Sequence, residues 1–554
     1  MCLALLLAIG IGLRFYNIDG PGFTEGADFM YTLTARTMSL VVSWGIGHTG
    51  MLSDPDAVAS ELQQLFINVD HIPHMPYSCK PVYDFINMII IGAWGYEDWV
   101  LPVGSAIAGV LGIGAVFLLA TRIYDPLIGL VAAALLAVSG GGLIFSRYGQ
   151  SHMLSLLFFT LGFWAYCQSV SKTKYEFRWL ALAALCFGLT LATHPNMVPY
   201  IGVLTLGEVV LLACGRHAYL TVFKRFLVAV GTVIGLVVIL NMPFVLMKYF
   251  AGSFFAGFDS SLGWPFMTYL EQLPHHFGLV FSEHTLMGVA APGIAARFYT
   301  YVVVFWAWEG LPLMCLVVVG AVLAVKNRRA LYFFDLILVG QISIPLLFWV
   351  FSENFAVYRF SAGALPSVLI VAARALVWFA LFISRRIPLG QYRVLTGLCM
   401  LMMAYNVHNN WPIYQAQSAH KEAAQWLLAQ GETNIEVNHP MTWDFYGVKP
   451  VGLKHSNDVR YIGFLRRYMS PQELETLAAL GDVEPVEVFA HKRPGKLLEV
   501  NLMQNSVVLE LLEYMPWIGT QVKEMRKTVL YRNDLRRLEI YQKISPNDQL
   551  LTEN

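Results

Sequence analysis

Clusters of basic residues recur after every second apolar stretch of this chain, and that alternation constrains the fold more than any other feature. They stand at Arg122; at Lys172, Lys174 and Arg178; at Arg216, Lys224 and Arg225; at Lys326, Arg328 and Arg329; and at Arg385, Arg386 and Arg393. Short loops rich in Lys and Arg stay on the cytoplasmic side of a membrane, so the intervening loops face outward. Those outer loops carry acids, histidines and a solitary Lys-Pro. Any chemistry is therefore expected on the extracytoplasmic face.

Hydrophobic residues make up 56% of the 554 and charged residues only 13%, which places the chain among polytopic membrane proteins rather than soluble globules. The 37 basic and 37 acidic residues cancel, so no global field argues for nucleic acid. The seven cysteines form no CxxC pair and lie almost all within apolar stretches, where thiols act as small hydrophobes. No disulfide framework is expected.

Apolar length and loop charge predict about eleven crossing helices, near 1–16, 100–120, 127–145, 152–170, 179–193, 198–214, 226–246, 298–325, 331–351, 361–383 and 394–408. The first is short for a span, so either the stretch from Arg14 to Ile18 reaches into the headgroups or the natural start lies upstream; the missing start is slightly preferred. Val82 to Tyr96 is apolar but short, and counting it as a crossing would reverse every downstream basic cluster. It reads as an interfacial or re-entrant helix. Two long outer loops result, 17–98 and 247–297, and Ser53-Asp54-Pro55 in the first signals the start of a helix through Ala57 to Phe66.

Residues 1–410 thus form a transmembrane domain and 411–554 a small α/β domain, placed outside by the odd number of crossings. In the latter, Ala419 to Ala429 and Pro471 to Leu480 read as helices, and Asn434 to Asn438, Val486 to Ala490 and Leu538 to Gln542 as strands.

Five constellations could carry chemistry. Glu25 and Asp28 follow the first span, three residues apart and with Tyr31 close behind, so on a helix they share a face. A carboxylate there could take a proton from a hydroxyl or merely cap the helix that follows. Lys80, in Cys79-Lys80-Pro81, stands at the outer headgroup level, where an ammonium could hold a phosphate or snorkel to lipid. Arg147 and His152 lie in the polar turn Phe145-Ser146-Arg147-Tyr148-Gly149-Gln150-Ser151-His152, and Arg147 breaks the charge rule for an outer loop. His194 at Thr193-His194-Pro195-Asn196 and Tyr358-Arg359-Phe360 complete the set. Histidines 71, 74, 152, 194, 275, 276 and 284 keep a metal site open, although each reads more simply as a hydrogen-bonding loop residue.

The order of these pieces resembles the GT-C membrane glycosyltransferases that use a polyprenyl-phosphate sugar, and within them the protein O-mannosyltransferases and lipid A aminoarabinose transferases. The resemblance covers residues 1 to about 410 and is strongest from Lys80 to Ala165, where Lys-Pro, Gly-Tyr-Glu-Asp-Trp-Val-Leu-Pro and Phe-Ser-Arg-Tyr-Gly recur in family-like order. Tyr358-Arg359-Phe360 followed by Leu365-Pro366 is similar to a further signature. The resemblance implies a GT-C-like helical bundle that moves one sugar, with inversion, from the lipid carrier to an acceptor hydroxyl. It implies that Lys80 and Arg359 neutralise the donor phosphate, that an acid after the first span is the base, and that no metal or other cofactor is required; Arg147, by its departure from the charge rule, is a further candidate for the phosphate or else a member of a structural ion pair. Tyr31, His152, His194 and Tyr358 would line the pocket. The family's Asp-Glu pair, four residues before the tyrosine matching Tyr31, falls here on Ala27-Asp28; with a two-residue insertion it falls on Glu25-Gly26. A family aspartate after the Ser-Arg turn is here His152.

The expected partners are membrane lipid, the polyprenyl-phosphate donor, and a protein, lipid or glycan acceptor. A bacterial cytoplasmic membrane with a cytoplasmic N-terminus is the expected location. The altered acidic motif leaves open a second class, a catalytically impaired homologue acting as a scaffolding subunit of a membrane complex. A transporter or channel fits less well, because the ionisable residues stand at loop ends rather than mid-span.

Overall fold

The computed structural model describes residues 1–20, 26–48, 55–68, 80–147, 149–170, 175–214, 218–262, 268–274, 294–326, 332–351, 362–387, 390–437, 442–452, 459–465, 485–490, 507–515, parts of 519–527, and 537–542. They form two units, Met1–Ile18 with Met30–Asn410, and Asp19–Phe29 with Trp411–Asn554.

The first unit is helical. It begins with α1 (Cys2–Phe15), α2 (Gly26–Gly47), α3 (Pro55–Asn68) and α4 (Pro81–Trp94), and continues with α5 (Val100–Ile123), α6 (Pro126–Val138), α7 (Gly140–Ser146), α8 (His152–Ser169) and α9 (Glu176–Thr193). Then come α10 (Val198–Ala213), α11 (Tyr219–Leu262), α12 (Ile294–Lys326), α13 (Tyr332–Phe351), α14 (Leu365–Ser384) and α15 (Gln391–Asn409). Among the described residues seven helices are long and apolar enough to cross a membrane, or eight if the bent pair α6–α7 is one span. The chain is thus a multi-pass membrane protein. The remaining expected spans coincide with α1, α8 and α15, which fall below that length or apolarity. α3 and α4 occupy the helical stretches expected within the first outer loop, whereas α11 runs on to Leu262, well into the second.

The bundle core is built on α5 and α14, whose inward residues Ala106, Ile113, Leu119, Leu369, Ala372 and Ala373 are buried. Against them the third span breaks. Asp125 caps α6, accepting from the Ile128 amide at 2.9 Å with Pro126 at the first position, and the helix stops at Ser139, where the chain bends by 56° into α7. A break inside a bundle frees carbonyls and amides that lipid cannot satisfy. Here they find partners. Arg14 donates to the carbonyls of Leu136 at 3.0 Å and Ala137 at 3.1 Å, and Asn410 to that of Val138 at 3.1 Å. On the other side Ser139 accepts from the Gly142 amide, and Glu309 accepts from the Ser139 hydroxyl at 2.7 Å and the Gly141 amide at 3.0 Å. Gly140 is required at the bend, because a Cβ there would stand 2.0 Å from the Trp308 carbonyl oxygen.

Arg14 corrects one expectation. It does not extend towards headgroups: it is fully buried and bonded to the bundle interior, Ser146 included.

In the second unit the strands β1 (Asn434–Val437), β2 (Lys449–Gly452), β3 (Tyr461–Leu465), β4 (Glu487–Ala490) and β5 (Arg537–Gln542) form one sheet in the order β2-β1-β3-β5-β4. β1 runs parallel to β2 and β3, while β5 is antiparallel to β3 and β4. The amphipathic helix α16 (Ala419–Ala429) supplies Ala419, Ala423, Ala424 and Leu427 to a core completed by Ile435, Val437, Trp443, Leu538 and Ile540. Its N-terminus is capped by Ser418, and Lys421 donates to the Asp19 carbonyl at 2.8 Å. The expected helix over Pro471 to Leu480 lies outside the described residues.

Candidate active site

Lys80 is the N-cap of α4, followed by Pro81 at the first helical position. Proline pre-sets the helical φ and lacks an amide that would go unsatisfied there, so the Lys-Pro pair fixes where the helix starts and where the ammonium stands. Lys80 is 8% exposed. It donates to the Tyr31 hydroxyl of α2, and its ammonium lies 4.5 Å from the centre of the Tyr31 ring. Tyr83 packs edge-on against the same ring at 5.5 Å. Two elements far apart in sequence are joined here by one lysine and two tyrosines.

One turn on, Asp84 is fully buried, and neither of its carboxylate oxygens has a hydrogen-bond partner among the described residues. Burial pushes its carboxyl up to about 7, and the Lys80 ammonium offsets that rise only in part. Asn87, three residues further along the same helix face, is buried with both amide atoms likewise unpartnered, its Oδ1 directed at Gly104 of α5. Beside Gly104, Ser105 donates to the Gln150 carbonyl at 3.0 Å, which ties the start of α5 to the polar turn before α8.

That turn is held from its other end by Arg147, which is fully buried and donates to the carbonyls of Tyr16 and, at 2.9 Å, Asn17. Asn17 has φ +49°, a left-handed conformation that Asn tolerates better than most residues. His152 opens α8, stacks on Phe145, and sits with its Nε2 2.9 Å from Nε2 of His194, the C-cap of α9. One of the two rings supplies the proton of that bond.

The structure therefore brings together two pairs of the residues singled out in the sequence, Lys80 with Tyr31 and His152 with His194. Arg147 is engaged by the backbone after α1. Asp28 lies on α2, and Glu25, Tyr358, Arg359 and histidines 71, 74, 275, 276 and 284 lie outside the described residues. Among the described residues no group of three or more His, Cys, Asp or Glu side chains is placed to hold a metal ion. Sequence reasoning passed over Asp84 and Asn87. Their signal was present as the only acid and the only amide in the apolar stretch after Lys80, at helical spacing from it.

This architecture defines a class. The fold is that of the GT-C glycosyltransferases: the structure of ArnT from Cupriavidus metallidurans in the apo state matches with a TM-score of 0.51 at 13% identity, over 87% of this chain and 95% of that one. The same enzyme bound to undecaprenyl phosphate matches at 0.51 and 12% identity, over 87% and 96%. The apo oligosaccharyltransferase of Archaeoglobus fulgidus matches at 0.51 and 12% identity, over 83% of this chain and 69% of that one. More narrowly, residues 75–244 match the family model of dolichyl-phosphate-mannose-protein mannosyltransferases, a stretch that contains Lys80, Asp84, Arg147, His152 and His194. No curated protein sequence matches significantly.

Proposed function

We propose that the chain transfers a single sugar from a polyprenyl-phosphate carrier to an acceptor hydroxyl on the extracytoplasmic face, with inversion and with no cofactor beyond the donor. The observation that carries this reading is the buried Lys80, held at the start of α4 by Pro81 and Tyr31 within the stretch matched to the mannosyltransferase family. Its ammonium and the amides of the first turn of α4 offer a phosphate a charge and oriented donors. Arg359 is the second cation, and Arg147 acts beside them by fixing the chain after α1, the segment that leads to Glu25 and Asp28. One of those acids takes the acceptor proton as its oxygen attacks the anomeric carbon and the lipid phosphate leaves. In a water-poor pocket the two cations stabilise that leaving charge more than they could in water. Tyr31, His152, His194 and Tyr358 line the pocket.

The orientation that follows has the N-terminus in the cytoplasm and the terminal domain outside, in a bacterial cytoplasmic membrane. The test is single-turnover loss of radiolabelled sugar from a panel of polyprenyl-phosphate monosaccharides by the purified full-length chain supplied with membrane extract. Lys80→Ala and one of Glu25→Gln or Asp28→Asn abolish turnover if the reading holds. Donor binding without turnover, indifferent to both carboxamide changes, assigns the chain instead to a scaffolding role, the reading that the altered acidic motif favours.

A further inference from the structure

Asp84 takes no part in the chemistry described so far, yet its place on α4 ties it to whatever Lys80 holds. The two residues are four apart on one helix, so they share a face, with roughly 5–6 Å between their Cβ atoms. Both are buried. Neither carboxylate oxygen of Asp84 has a hydrogen-bond partner among the described residues, and the Asn87 amide one turn on has none there either. No neutral donor among them therefore offsets a negative charge at Asp84. An ionised carboxylate in this position leans on one group, the Lys80 ammonium.

Among the described residues, the elements packed around α4 supply no second charge of that kind. From α2 come Tyr31, which receives the Lys80 ammonium, and Arg36, which lies over the Tyr96 ring at 4.3 Å. α5 carries no charged side chain before Arg122 in its last turn. α9 has Glu176 and Arg178 in its first turn, Cys186 in its middle and His194 at its C-cap, bonded to His152. α11, which meets α4 through Phe244 and Phe85, has Lys224, Arg225 paired with Glu208, and Lys248 paired with Glu271. A phosphate held at the start of α4 draws on the same ammonium as Asp84. With the phosphate in place, an ionised Asp84 loses its counter-charge and gains a like charge one helical turn away, and both changes favour the protonated carboxyl. A second cation at the phosphate softens this competition without changing its sign, because the phosphate still brings negative charge into a buried pocket.

We propose that a lipid phosphate and one proton bind this chain together, the phosphate at Lys80 and the proton on Asp84. Resting on Lys80 as the phosphate site, this makes Asp84 the residue that sets how tightly the site grips at a given pH. Without ligand, burial already holds the Asp84 carboxyl at about 7, so the proton is exchanged near neutrality. Affinity is full below that value, where Asp84 carries its proton before the phosphate arrives, and falls as pH rises through it.

The test uses the purified full-length chain in detergent and the methyl ester of undecaprenyl phosphate, a diester whose single charge does not titrate near neutrality. Calorimetry in buffers of different ionisation enthalpy counts the protons taken up on binding. Wild type binds about tenfold more weakly at pH 8 than at pH 6 and takes up close to one proton at pH 8. Asp84→Asn takes up none and binds equally at the two; should that variant not fold, the wild-type proton count and its pH dependence decide. Lys80→Ala weakens binding at pH 6 by at least about tenfold. Binding untouched by Lys80→Ala overturns the phosphate site and the linkage with it. Binding lost in Lys80→Ala, with wild-type binding that takes up no proton and ignores pH, overturns the linkage alone. Proton uptake that persists in Asp84→Asn also overturns it, and assigns the proton to another group.

Discussion

Replacing Asp84 by Asn should make the protein more stable at neutral and alkaline pH and leave it unchanged in acid. Asp84 is buried beside Lys80 without a hydrogen-bond partner among the described residues, and burial raises its carboxyl from the ordinary 3.8 to about 7. A carboxyl that holds its proton more tightly in the folded chain than in the unfolded one favours folding below about 4. That advantage is lost progressively between about 4 and 7 and is gone above 7. The displacement corresponds to about 4 kcal/mol, at roughly 1.4 kcal/mol for each tenfold change in proton affinity. Asn has the same shape and no charge to lose. The assay is thermal unfolding of purified wild type and Asp84→Asn in detergent from pH 4 to 9. The two curves should coincide at the acid end and separate steadily up to about pH 7, with the variant above. A variant less stable than wild type at pH 8 would refute the argument, because it would mean that Asp84 is ionised and stabilised by Lys80 in the native state.

Other consequences can be measured in the same preparation. Arg14→Met removes the donors from the Leu136 and Ala137 carbonyls and should cost about 1–3 kcal/mol for each carbonyl left unsatisfied, seen as a lowered thermal midpoint that Arg14→Lys does not restore. Gly140→Ala should abolish folding or yield, since its Cβ would meet the Trp308 carbonyl at 2.0 Å, whereas alanine at Gly114, which meets nothing within 4 Å, should be neutral in expression and melting. His152→Phe and His194→Phe should be non-additive in stability by about 0.5–3 kcal/mol, because each removes the same 2.9 Å bond; additive losses would mean that the two rings do not depend on each other. Leu427→Ala should cost about 2–5 kcal/mol in the terminal domain, read as protease sensitivity after Trp411.

Much of the bundle was legible because lipid leaves so few choices: a long apolar run must be a helix. The helix after Lys-Pro was readable for the same reason, since proline can begin a helix but not continue one. The bend at Ser139 was not, because its cause lies in Arg14, Glu309 and Asn410, residues 100 or more positions away or across several turns of chain. A continuous apolar window from Pro126 to Phe145 carries no sign of a break that distant side chains make tolerable. The strands Lys449–Gly452 and Tyr461–Leu465 escaped notice because one contains Pro450 and the other Gly463, residues that propensity places outside sheets; one stands at a sheet edge and the other beneath close-packed Ile435 and Ile540. At the site, Lys80 was conspicuous as a charge at the wrong level. Asp84 was hidden by its apolar neighbours, and it becomes informative through its burial without a hydrogen-bond partner among the described residues.

Arg14 also sets an order of events during synthesis. It is made with the first helix, yet it donates to Ser146, Ala137 and Leu136, more than 120 positions later. Until that stretch leaves the ribosome those three partners are missing, and a cation on an apolar helix is costly to leave in lipid without them. The first helix is thus a poor resident of the bilayer by itself. It becomes a good one when the broken third span arrives with bare carbonyls that need the same arginine, so the two least lipid-compatible pieces of the chain are each other's remedy, and the insertion machinery must hold the first until the third is delivered.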